Sequence, residues 1–528
     1  MNRNNGGKLY IGWGQADITP GEPVFMAGQF HARISEGVMD PVTATALAME
    51  SREEGFSDYA VMVSCDLVSI PNGLVNCARD KIRKKVYGLD PERVFLNATH
   101  THAAPECRTA PDELLFLGGN VSALCGLDLP VMDPADYVDF AAERISDAVR
   151  QAWEKRSPGG VSFGLGHAVV GRNRRIVYND GLSRMYGKTD DCNFSHVEGY
   201  EDHSLNLLAT WNEERKLTGL VVNVACPAQL SELSYLITAD YWHETRQEIR
   251  RRFGQDLFIL PQCSAAGDQS PHILVDKKAE ERMWRLAGYG ESQVSGSIVK
   301  NALKAGVSRP LAERLSGLAQ RRDISVRIAD AVGKVLPLAG KEIESEPRFF
   351  FLHRKVNLCR NMVSRKDAEE AAKEAEKYHE EYLKMKNELE LYPGRKDEYP
   401  ANDYLRWYGP VTVSYRMYRR NIALRERYEI QKSKPLIPVD IYMVRVGDMI
   451  FAANPFECYL DFGMQIKARS KAVQTFLVQL AGTGTYLPTR RSVEGGGYGS
   501  VPASNPMGYE AGRQLVEATL EGIDQLWK

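Results

Sequence analysis

Short apolar runs alternate with longer amphipathic stretches between Lys8 and Arg327. Apolar runs of this length, bounded by turn residues, predict buried strands, and the amphipathic stretches predict helices. The predicted strands cover residues 59–65, 93–98, 217–225 and 256–260. The predicted helices cover residues 72–86, 136–155 and 240–253. Alternation of this kind is typical of α/β packing.

A different pattern follows nearer the C-terminus. Two runs that alternate apolar and polar residues are joined by Gly447-Asp448, a dipeptide that favours the tight turn of a β-hairpin. Antiparallel hairpin strands beside an α/β pattern indicate a mixed sheet. We therefore expect an α/β fold with a mixed β-sheet core and flanking helices.

One long segment lacks a wide apolar stripe. The chain from Ser364 to Leu391 is dense in Glu, Lys and Ala, and Ser364 with Asp367 has the spacing of a capping box. Tyr392-Pro393-Gly394 breaks this helix, and a second helical stretch rich in Arg and Tyr continues to about residue 433. We predict a helical hairpin at 360–433, inserted within a single catalytic domain of residues 1–528. Its expected role is a surface excursion, a lid or the contact of a homo-oligomer.

Charge and cysteine content narrow the class of protein. There are 67 basic and 69 acidic residues without a dense basic arm, which argues against a nucleic-acid partner. No apolar run reaches the ~20 residues of a membrane span, and no secretory signal is visible at the N-terminus. The nine scattered cysteines are typical of reduced thiols. We expect a cytoplasmic enzyme with a small-molecule substrate and no integral membrane association.

The candidate chemistry begins with Thr99-His100-Thr101-His102, which closes the predicted strand at 93–98. Side chains two apart on a strand share a face, so both imidazoles should point into one cleft. Such a pair either binds a metal together, or one imidazole binds metal while the other polarises a substrate. An HxH pair also arises by chance.

Further motifs occur along the chain in a fixed order. They are Gly14-Gln15-Ala16-Asp17-Ile18-Thr19-Pro20, Thr99-His100-Thr101-His102-Ala103-Ala104-Pro105, Asn173-Arg174, Gly267-Asp268-Gln269-Ser270-Pro271, Pro455-Phe456-Glu457 and Tyr486-Leu487-Pro488-Thr489. With these motifs the chain resembles the catalytic domain of the neutral/alkaline non-lysosomal ceramidases, which are zinc-dependent amidohydrolases.

The resemblance implies two sets of site residues. The first would bind one catalytic Zn²⁺ and contains His100, Glu457 and, through its phenolate oxygen, Tyr486. The second would hold and polarise the scissile carbonyl and contains His102, Arg174 and Tyr498. Zinc favours such nitrogen and oxygen ligands with one position left for a water.

Most of these residues also have structural interpretations. Glu457 could cap a helix that begins nearby, and Tyr486 could be a core aromatic with a satisfied hydroxyl. Arg174 lies in a run of charged residues that could be solvated. Ser270, before Pro271, is either an activated nucleophile or, as turn serines usually are, a residue that shapes the site.

The chain departs from the family where a second histidine ligand is expected, after the predicted strand 217–225. Cys226 stands there. Three explanations remain open: Cys226 binds zinc as a thiolate, the remaining residues bind the metal with help from His243, or the metal has been lost.

Two features bear on the substrate. The chain ends at Lys528, directly after a predicted helix at 505–526, without the C-terminal immunoglobulin-like domain of full ceramidases, and no signal peptide is visible. We therefore expect a small polar substrate and not ceramide, with its amide (N-acyl) bond cleaved by metal-activated water. The alternatives are a glycoside, ester or lactone hydrolase on the same scaffold, and a non-catalytic binding protein with a degenerate metal site.

Overall fold

The computed structural model describes residues 6–110, 118–294, 309–394 and 406–528. Its strands are β1 Lys8–Asp17, β2 Gly37–Val38, β3 Thr43–Glu53, β4 Phe56–Cys65, β5 Val94–Ala98, β6 Ser157–His167, β7 Arg172–Asn173, β8 Arg175–Tyr178, β9 Ser183–Met185, β10 Phe194–Val197, β11 Ser204–Asn212, β12 Leu217–Val224, β13 Leu236–Ile237, β14 Phe258–Cys263, β15 Gln269–Ser270, β16 Phe349–Cys359, β17 Leu436–Val446, β18 Met449–Ala453, β19 Glu457–Cys458, β20 Gln474–Val478 and β21 Tyr486–Leu487.

The α-helices are α1 Asn72–Lys85, α2 Val121–Cys125, α3 Pro134–Glu154, α4 Tyr241–Phe253, α5 Lys277–Leu286, α6 Glu291–Val294, α7 Arg309–Leu315, α8 Leu318–Ala339, α9 Arg365–Leu391, α10 Gly409–Ile430, α11 Leu460–Arg469, α12 Arg490–Gly495 and α13 Tyr509–Leu526. Short 3₁₀ turns occur at Pro91–Arg93 and Pro502–Ser504.

The main sheet of the described residues has eight strands in the order β14-β12-β11-β6-β1-β3-β4-β5. The β4–β5 and β12–β14 pairs are parallel, and the other neighbours are antiparallel. The prediction of an α/β fold with a mixed sheet is therefore confirmed. The predicted strands and helices are present, with ends that differ by a few residues.

The two faces of this sheet are covered differently, as the alternation of side chains along β3 illustrates. Ala46 and Ala48 pack with residues of α1 and α3 in one apolar cluster. Leu47 and Met49 point to the opposite face, because successive strand residues alternate. Their cluster includes Phe451 of a second sheet, whose order is β16-β17-β18-β20.

The second sheet was not predicted as a separate layer. Its β17–β18 hairpin turns at Gly447, whose φ of +59° suits glycine, as the sequence indicated. The face away from the main sheet packs against α11 and α13, with Met443 and Leu515 in one cluster. Helices therefore flank a pair of stacked sheets. Among the described helices, none is both long and apolar enough to span a membrane.

Helices α9 and α10 supply the two arms of the predicted hairpin at 360–433 and pack against each other, while its residues 395–405 lie outside the described ones. The predicted capping box is formed, because the Asp367 amide donates to Ser364 Oγ at 3.0 Å and the Ser364 amide to Asp367 Oδ2 at 3.1 Å. The Tyr382 hydroxyl donates to the Gly126 carbonyl at 2.6 Å and ties α9 to the end of α2. Whether the hairpin also joins subunits stays a prediction.

Candidate active site

The histidine pair lies in a turn and not on a strand. Strand β5 ends at Ala98, and His100 has a φ of +65°, in the left-handed region that non-glycine residues rarely adopt. The Thr99 and His100 amides donate to the Cys65 and Leu67 carbonyls, each at 3.0 Å, and so hold this turn. The two imidazoles do lie together, but the alternation of side chains along a strand is not the cause that we expected. They meet because of the turn. Such strain is commonest at functional sites.

The two imidazoles contact each other directly. His100 Nδ1 lies 2.6 Å from the Val68 carbonyl oxygen, an acceptor, so this nitrogen carries a proton and Nε2 faces the cluster. That Nε2 is 3.2 Å from His102 Nε2 and 3.3 Å from Glu457 Oε2. His102 Nε2 in turn accepts a 2.7 Å hydrogen bond from the Gln229 side-chain amide. Burial, with the positive charges of His100 and Arg33, holds the pKa of His102 well below its usual value, so His102 is neutral.

Glu457 does not cap a helix. Helix α11 begins at Leu460 with Tyr459 as its N-cap residue. Instead, β19 pairs with β21 in parallel and sets Glu457 opposite Tyr486. Burial acts to raise the pKa of the Glu457 carboxyl, but the charges of His100 and Arg174 outweigh it and lower that pKa. The site therefore holds a carboxylate.

Arg174 is buried and not part of a solvated charge run, with 4% of the residue exposed. Its Nη2 donates to the Tyr486 hydroxyl oxygen at 3.1 Å and to the Gly267 carbonyl at 2.8 Å. Its Nη1 lies 3.4 Å from both Gln229 Oε1 and the Tyr186 hydroxyl oxygen. Burial acts to lower the pKa of Arg174, yet the neighbouring Tyr486, Tyr186 and Glu457 raise it well above the ordinary value. Arg174 is a fixed cation.

Two tyrosines, Tyr486 and Tyr498, belong to the same group of buried side chains. Burial raises the pKa of Tyr486 well above its usual value and also raises that of Tyr498. Their rings meet edge to face with centroids 5.5 Å apart. The loop that carries Tyr498 is held by Arg175, which donates to the Tyr498 carbonyl at 3.1 Å and to the Gly496 carbonyl at 2.7 Å.

Ser270 is buried and its hydroxyl is occupied. Its Oγ accepts from the His272 amide at 3.1 Å and lies 3.3 Å from the Tyr186 hydroxyl oxygen. The His272 ring is directed elsewhere, with Nε2 3.0 Å from Glu232 Oε1. No imidazole or carboxylate among the described residues contacts the Ser270 hydroxyl, so the geometry favours the site-shaping interpretation over an activated nucleophile.

Cys226 is not brought together with His100, Glu457 and Tyr486, which corrects its assignment as a metal ligand. Its side chain packs in the apolar cluster with Val222, Val224 and Tyr241. Its sulfur donates to the Pro227 carbonyl at 3.4 Å, and burial raises the pKa of the thiol well above the usual range. This is the environment of a buried cysteine that packs as an apolar side chain.

His243 also lies away from the site. Its Nδ1 is 3.7 Å from Asp40 Oδ1 and its Nε2 is 2.9 Å from the Gln247 amide nitrogen. The residue that faces His102 from the segment after β12 is Gln229, three positions beyond Cys226. The sequence analysis missed Gln229, although its segment is the one in which a ligand was expected.

Two other site residues, Tyr186 and Glu232, were missed because they lie in loops without a distinctive pattern. Tyr186 joins Arg174 to Ser270, and Glu232 Oε2 lies 3.7 Å from His102 Nδ1. Asp66 supports the histidine turn from beneath, because it accepts from the Thr99 hydroxyl at 3.3 Å and from both terminal nitrogens of Arg246 at 2.9 Å.

These side chains open onto a cavity. His100, His102, Glu457, Tyr486 and Tyr498 line one side of it. The lining also includes Arg416, Arg420 and Arg427 of α10, so the second helix of the hairpin forms part of the cavity wall.

Three atoms of the cluster bear on metal binding. His100 Nε2 lies 3.2 Å from His102 Nε2 and 3.3 Å from Glu457 Oε2, so nitrogen and oxygen atoms of the kinds that bind metals lie close together here. In the part of the chain that the structure describes, no group of three or more His, Cys, Asp or Glu side chains suits a metal ion. A metal at His100 and Glu457 would therefore need the Tyr486 oxygen as its third protein ligand, a set of nitrogen and oxygen donors that fits zinc.

Comparison with known proteins gives a result at the level of the fold. No family model matches the sequence, and no curated protein matches it. A solved structure of a ceramidase complexed with C2 matches with a TM-score of 0.62 and 14% identity, over 98% of this chain and 75% of that chain. A crystal structure of neutral ceramidase from Pseudomonas aeruginosa matches with a TM-score of 0.61 and 15% identity, over the same shares. The chain therefore has a neutral ceramidase-like fold.

Proposed function

We propose that this chain is a hydrolase that cleaves the amide bond of a small polar N-acyl compound. The observation that carries the proposal is one group of contacts. His100 Nε2 lies 3.3 Å from Glu457 on the wall of one cavity, and Arg174 lies 3.1 Å from the hydroxyl oxygen of Tyr486, which lines the same cavity. A fixed cation, a carboxylate and buried hydroxyl donors around a cavity are the groups that acyl transfer needs.

The proposed roles follow from the charge that develops during hydrolysis. Attack of water on the carbonyl carbon places negative charge on the carbonyl oxygen, and breakdown of the tetrahedral adduct gives a carboxylate and an amine. Arg174 and the Tyr498 hydroxyl are the donors that we assign to this oxygen. His102, kept neutral by burial and its cationic neighbours, orients the carbonyl. Ser270 and Tyr186 hold Arg174 in position.

We further propose that His100, Glu457 and Tyr486 hold one zinc ion. The Val68 carbonyl fixes the His100 ring with Nε2 towards the cluster, as the partner of a ligating histidine usually does. When bound, zinc supplies Lewis acidity to the hydrolysis. Cys226 is not included in this set, because its thiol lies among apolar side chains.

The composition of the cavity favours acyl over glycosyl transfer. Glycoside hydrolysis generally needs two carboxyl groups that flank the scissile bond. Glu457 is the one carboxylate among the described residues that line the cavity. An ester or lactone would use the same donors as an amide, so ester hydrolysis is the second candidate.

The test is a panel of matched substrates given to purified protein. N-acyl amides, the corresponding esters and aryl glycosides are compared by initial rates, with wild type, His102→Ala and the control His167→Ala, which changes an exposed histidine at the end of β6. We expect turnover of N-acyl compounds that His102→Ala reduces at least about a hundredfold and His167→Ala leaves unchanged. Turnover confined to glycosides, or equal rates in the three proteins, would overturn the proposal.

The zinc proposal is tested by metal analysis of the same preparations. We expect about one zinc per chain in wild type and far less in Glu457→Gln, because the change removes an anionic ligand. Less than about a tenth of an equivalent in wild type, with activity insensitive to a chelator, would contradict it.

A further inference from the structure

The cavity that the histidine pair lines is also strongly basic. Four arginines, Arg108, Arg416, Arg420 and Arg427, line it. We call them the arginine wall. Three of them lie on α10 at spacings of four and seven residues, which places them on one face of the helix. A helix rich in charge is usually solvated on its polar face, but this face lines the cavity.

Carboxylates balance only part of this charge. Arg108 is paired with Glu106 through Nε at 2.8 Å and through Nη2. The carboxylate of Glu457 is already satisfied by His100 and Arg174. Among the described residues, none of the three arginines on α10 forms an ion pair with a carboxylate. The cavity therefore holds an excess of positive charge.

The α10 arginines are instead held by neutral groups. Arg427 donates to the Pro502 carbonyl at 2.7 Å and to the Asn505 carbonyl at 2.9 Å. Arg420 donates through Nε to the Ala503 carbonyl at 2.9 Å and through Nη2 to the Ser504 hydroxyl at 2.7 Å. Arg416 donates to the Gln29 and Leu124 carbonyls. These bonds fix the guanidinium groups in place without neutralising them.

Two guanidinium nitrogens of the α10 arginines have no acceptor among the described residues. The structure gives Arg420 Nη1 and Arg416 Nη2 no hydrogen-bond partner among the described residues, and neither atom is sealed from solvent. Burial and neighbouring arginines lower the pKa of Arg427 to about 9 and that of Arg416 to about 10, and the charge of Glu106 offsets only part of the shift at Arg416. An anion in the cavity would restore the balance, because buried charges are normally paired.

The arginine wall also lies beside the proposed reaction centre. The Arg420 guanidinium carbon is 5.7 Å from the ring centroid of Tyr498 and equally far from that of Phe30. Tyr498 is thus in contact with Tyr486 on one side and with Arg420 on the other. A group bound by Arg420 would be part of the same ligand whose carbonyl reaches Arg174.

We propose that the arginine wall binds an anionic group of the substrate, so that the substrate is an N-acyl compound with a carboxylate or a phosphate. This inference rests on the proposed function and names its substrate class. Guanidinium groups suit either anion, because their paired N–H donors match both geometries. A neutral N-acyl lipid would supply no counter-charge to the three arginines of α10.

The experiment compares three substrates that share one acyl group. N-hexanoylglycine carries a carboxylate, N-hexanoyl-O-phosphoethanolamine a phosphate, and N-hexanoylethanolamine no charge. The kcat/KM of each is measured with wild type, Arg420→Gln, Arg420→Lys and the control Arg425→Gln. Arg425 lies on the same helix but on its exposed side. Circular dichroism and thermal unfolding of each variant establish that it is folded.

We expect wild type and Arg425→Gln to prefer at least one anion over the neutral compound by about tenfold or more, the effect of one charged hydrogen bond. Arg420→Gln should remove that preference chiefly through KM, and Arg420→Lys should restore part of it. The preferred anion distinguishes carboxylate from phosphate. Equal kcat/KM for the three compounds in wild type, or a preference that Arg420→Gln leaves intact, would overturn the inference while the hydrolase proposal stands.

A second readout separates the two proposals. If wild type hydrolyses none of the compounds, the proposed function fails, and calorimetric titration with the same three compounds still tests the arginine wall. Tighter binding of an anion that Arg420→Gln weakens about tenfold supports the inference. Equal or undetectable binding of all three compounds overturns it.

Discussion

Each polar side chain of the site is oriented by a second buried group. The Val68 carbonyl fixes His100, the Gln229 amide fixes His102, and the Gly267 carbonyl fixes Arg174. A donor that is already in place needs no reorganisation when charge develops on a substrate. The precision of the site therefore depends on residues that need not touch the substrate.

Arg174 gives the sharpest prediction for a single side chain. Arg174→Ala removes the fixed cation beside Tyr486, so kcat for the N-acyl substrate should fall about 10²–10³-fold, the usual effect of losing a donor to an oxyanion. Steady-state kinetics check this, with Arg184→Ala as a control because Arg184 is a largely exposed arginine. A change confined to KM would instead assign Arg174 to binding of the ground state.

Cys226 distinguishes a thiol of the core from a metal ligand. Because its sulfur lies in the apolar cluster with Val222 and Tyr241, Cys226→Ala should cost about 1 kcal/mol of unfolding free energy and leave the zinc content unchanged. Chemical denaturation and metal analysis measure the two effects. Loss of the metal with an intact fold would show that the thiolate does bind it.

The glycine-rich loop at 496–500 is held in place by a buried ion pair. Glu198 accepts from Arg175 Nε at 2.9 Å and from the Ser183 and Ser492 hydroxyls, and Arg175 reaches the Tyr498 carbonyl. Burial acts to raise the pKa of Glu198, but these partners outweigh it and lower that pKa below the usual value. The charged pair of Glu198 and Arg175 therefore holds this loop, and the position of Tyr498 depends on the pair.

The pair of Glu198 and Arg175 predicts that the free energy of unfolding depends on pH. A carboxyl with a lowered pKa in the folded state stabilises the fold above its unfolded pKa of about 4.3, and this stability is lost as the pH falls through the lower folded value. Glu198→Gln should cost about 3 kcal/mol at pH 7, and its difference from wild type should shrink below about pH 4. Urea unfolding at several pH values measures this difference.

The control is Glu494→Gln, in an exposed pair with Arg490, which should cost less than about 1 kcal/mol of unfolding free energy. A Glu198→Gln difference that stays constant down to pH 3 would contradict the account.

The layout of the whole molecule was partly predictable. Apolar runs such as β5 and the Gly447 turn predicted strands and a mixed sheet, because alternation and turn chemistry are local properties. The stacking of two sheets was not predicted, since nothing local indicates which strands share a sheet. Individual residues of the site were predicted from the sequence, but the arrangement that brings them together was not. Their distances depend on loops, as the Gln229 contact with His102 illustrates.

The sequence did not indicate that the helical hairpin at 360–433 contributes to the cavity wall, and the reason is physical. Its charge and lack of an apolar stripe suggested a solvated surface element. In the structure, Arg416 and Arg427 are buried, and their heads are held by carbonyl groups around the cavity. Arginine stems can cover apolar surface while the charged head stays polar, so a count of apolar positions misses such a helix face. The second helix of the insertion thus contributes side chains to the cavity wall.

The central claim is that the cluster of His100 and Glu457 is the reaction centre of an N-acyl hydrolase. The most direct measurement is the kcat/KM for release of amine from an N-acyl substrate by wild type and His100→Ala, with unfolding curves of both proteins. We predict turnover by wild type and a decrease of at least about a thousandfold in the folded His100→Ala variant. Wild-type rates in folded His100→Ala would contradict the claim.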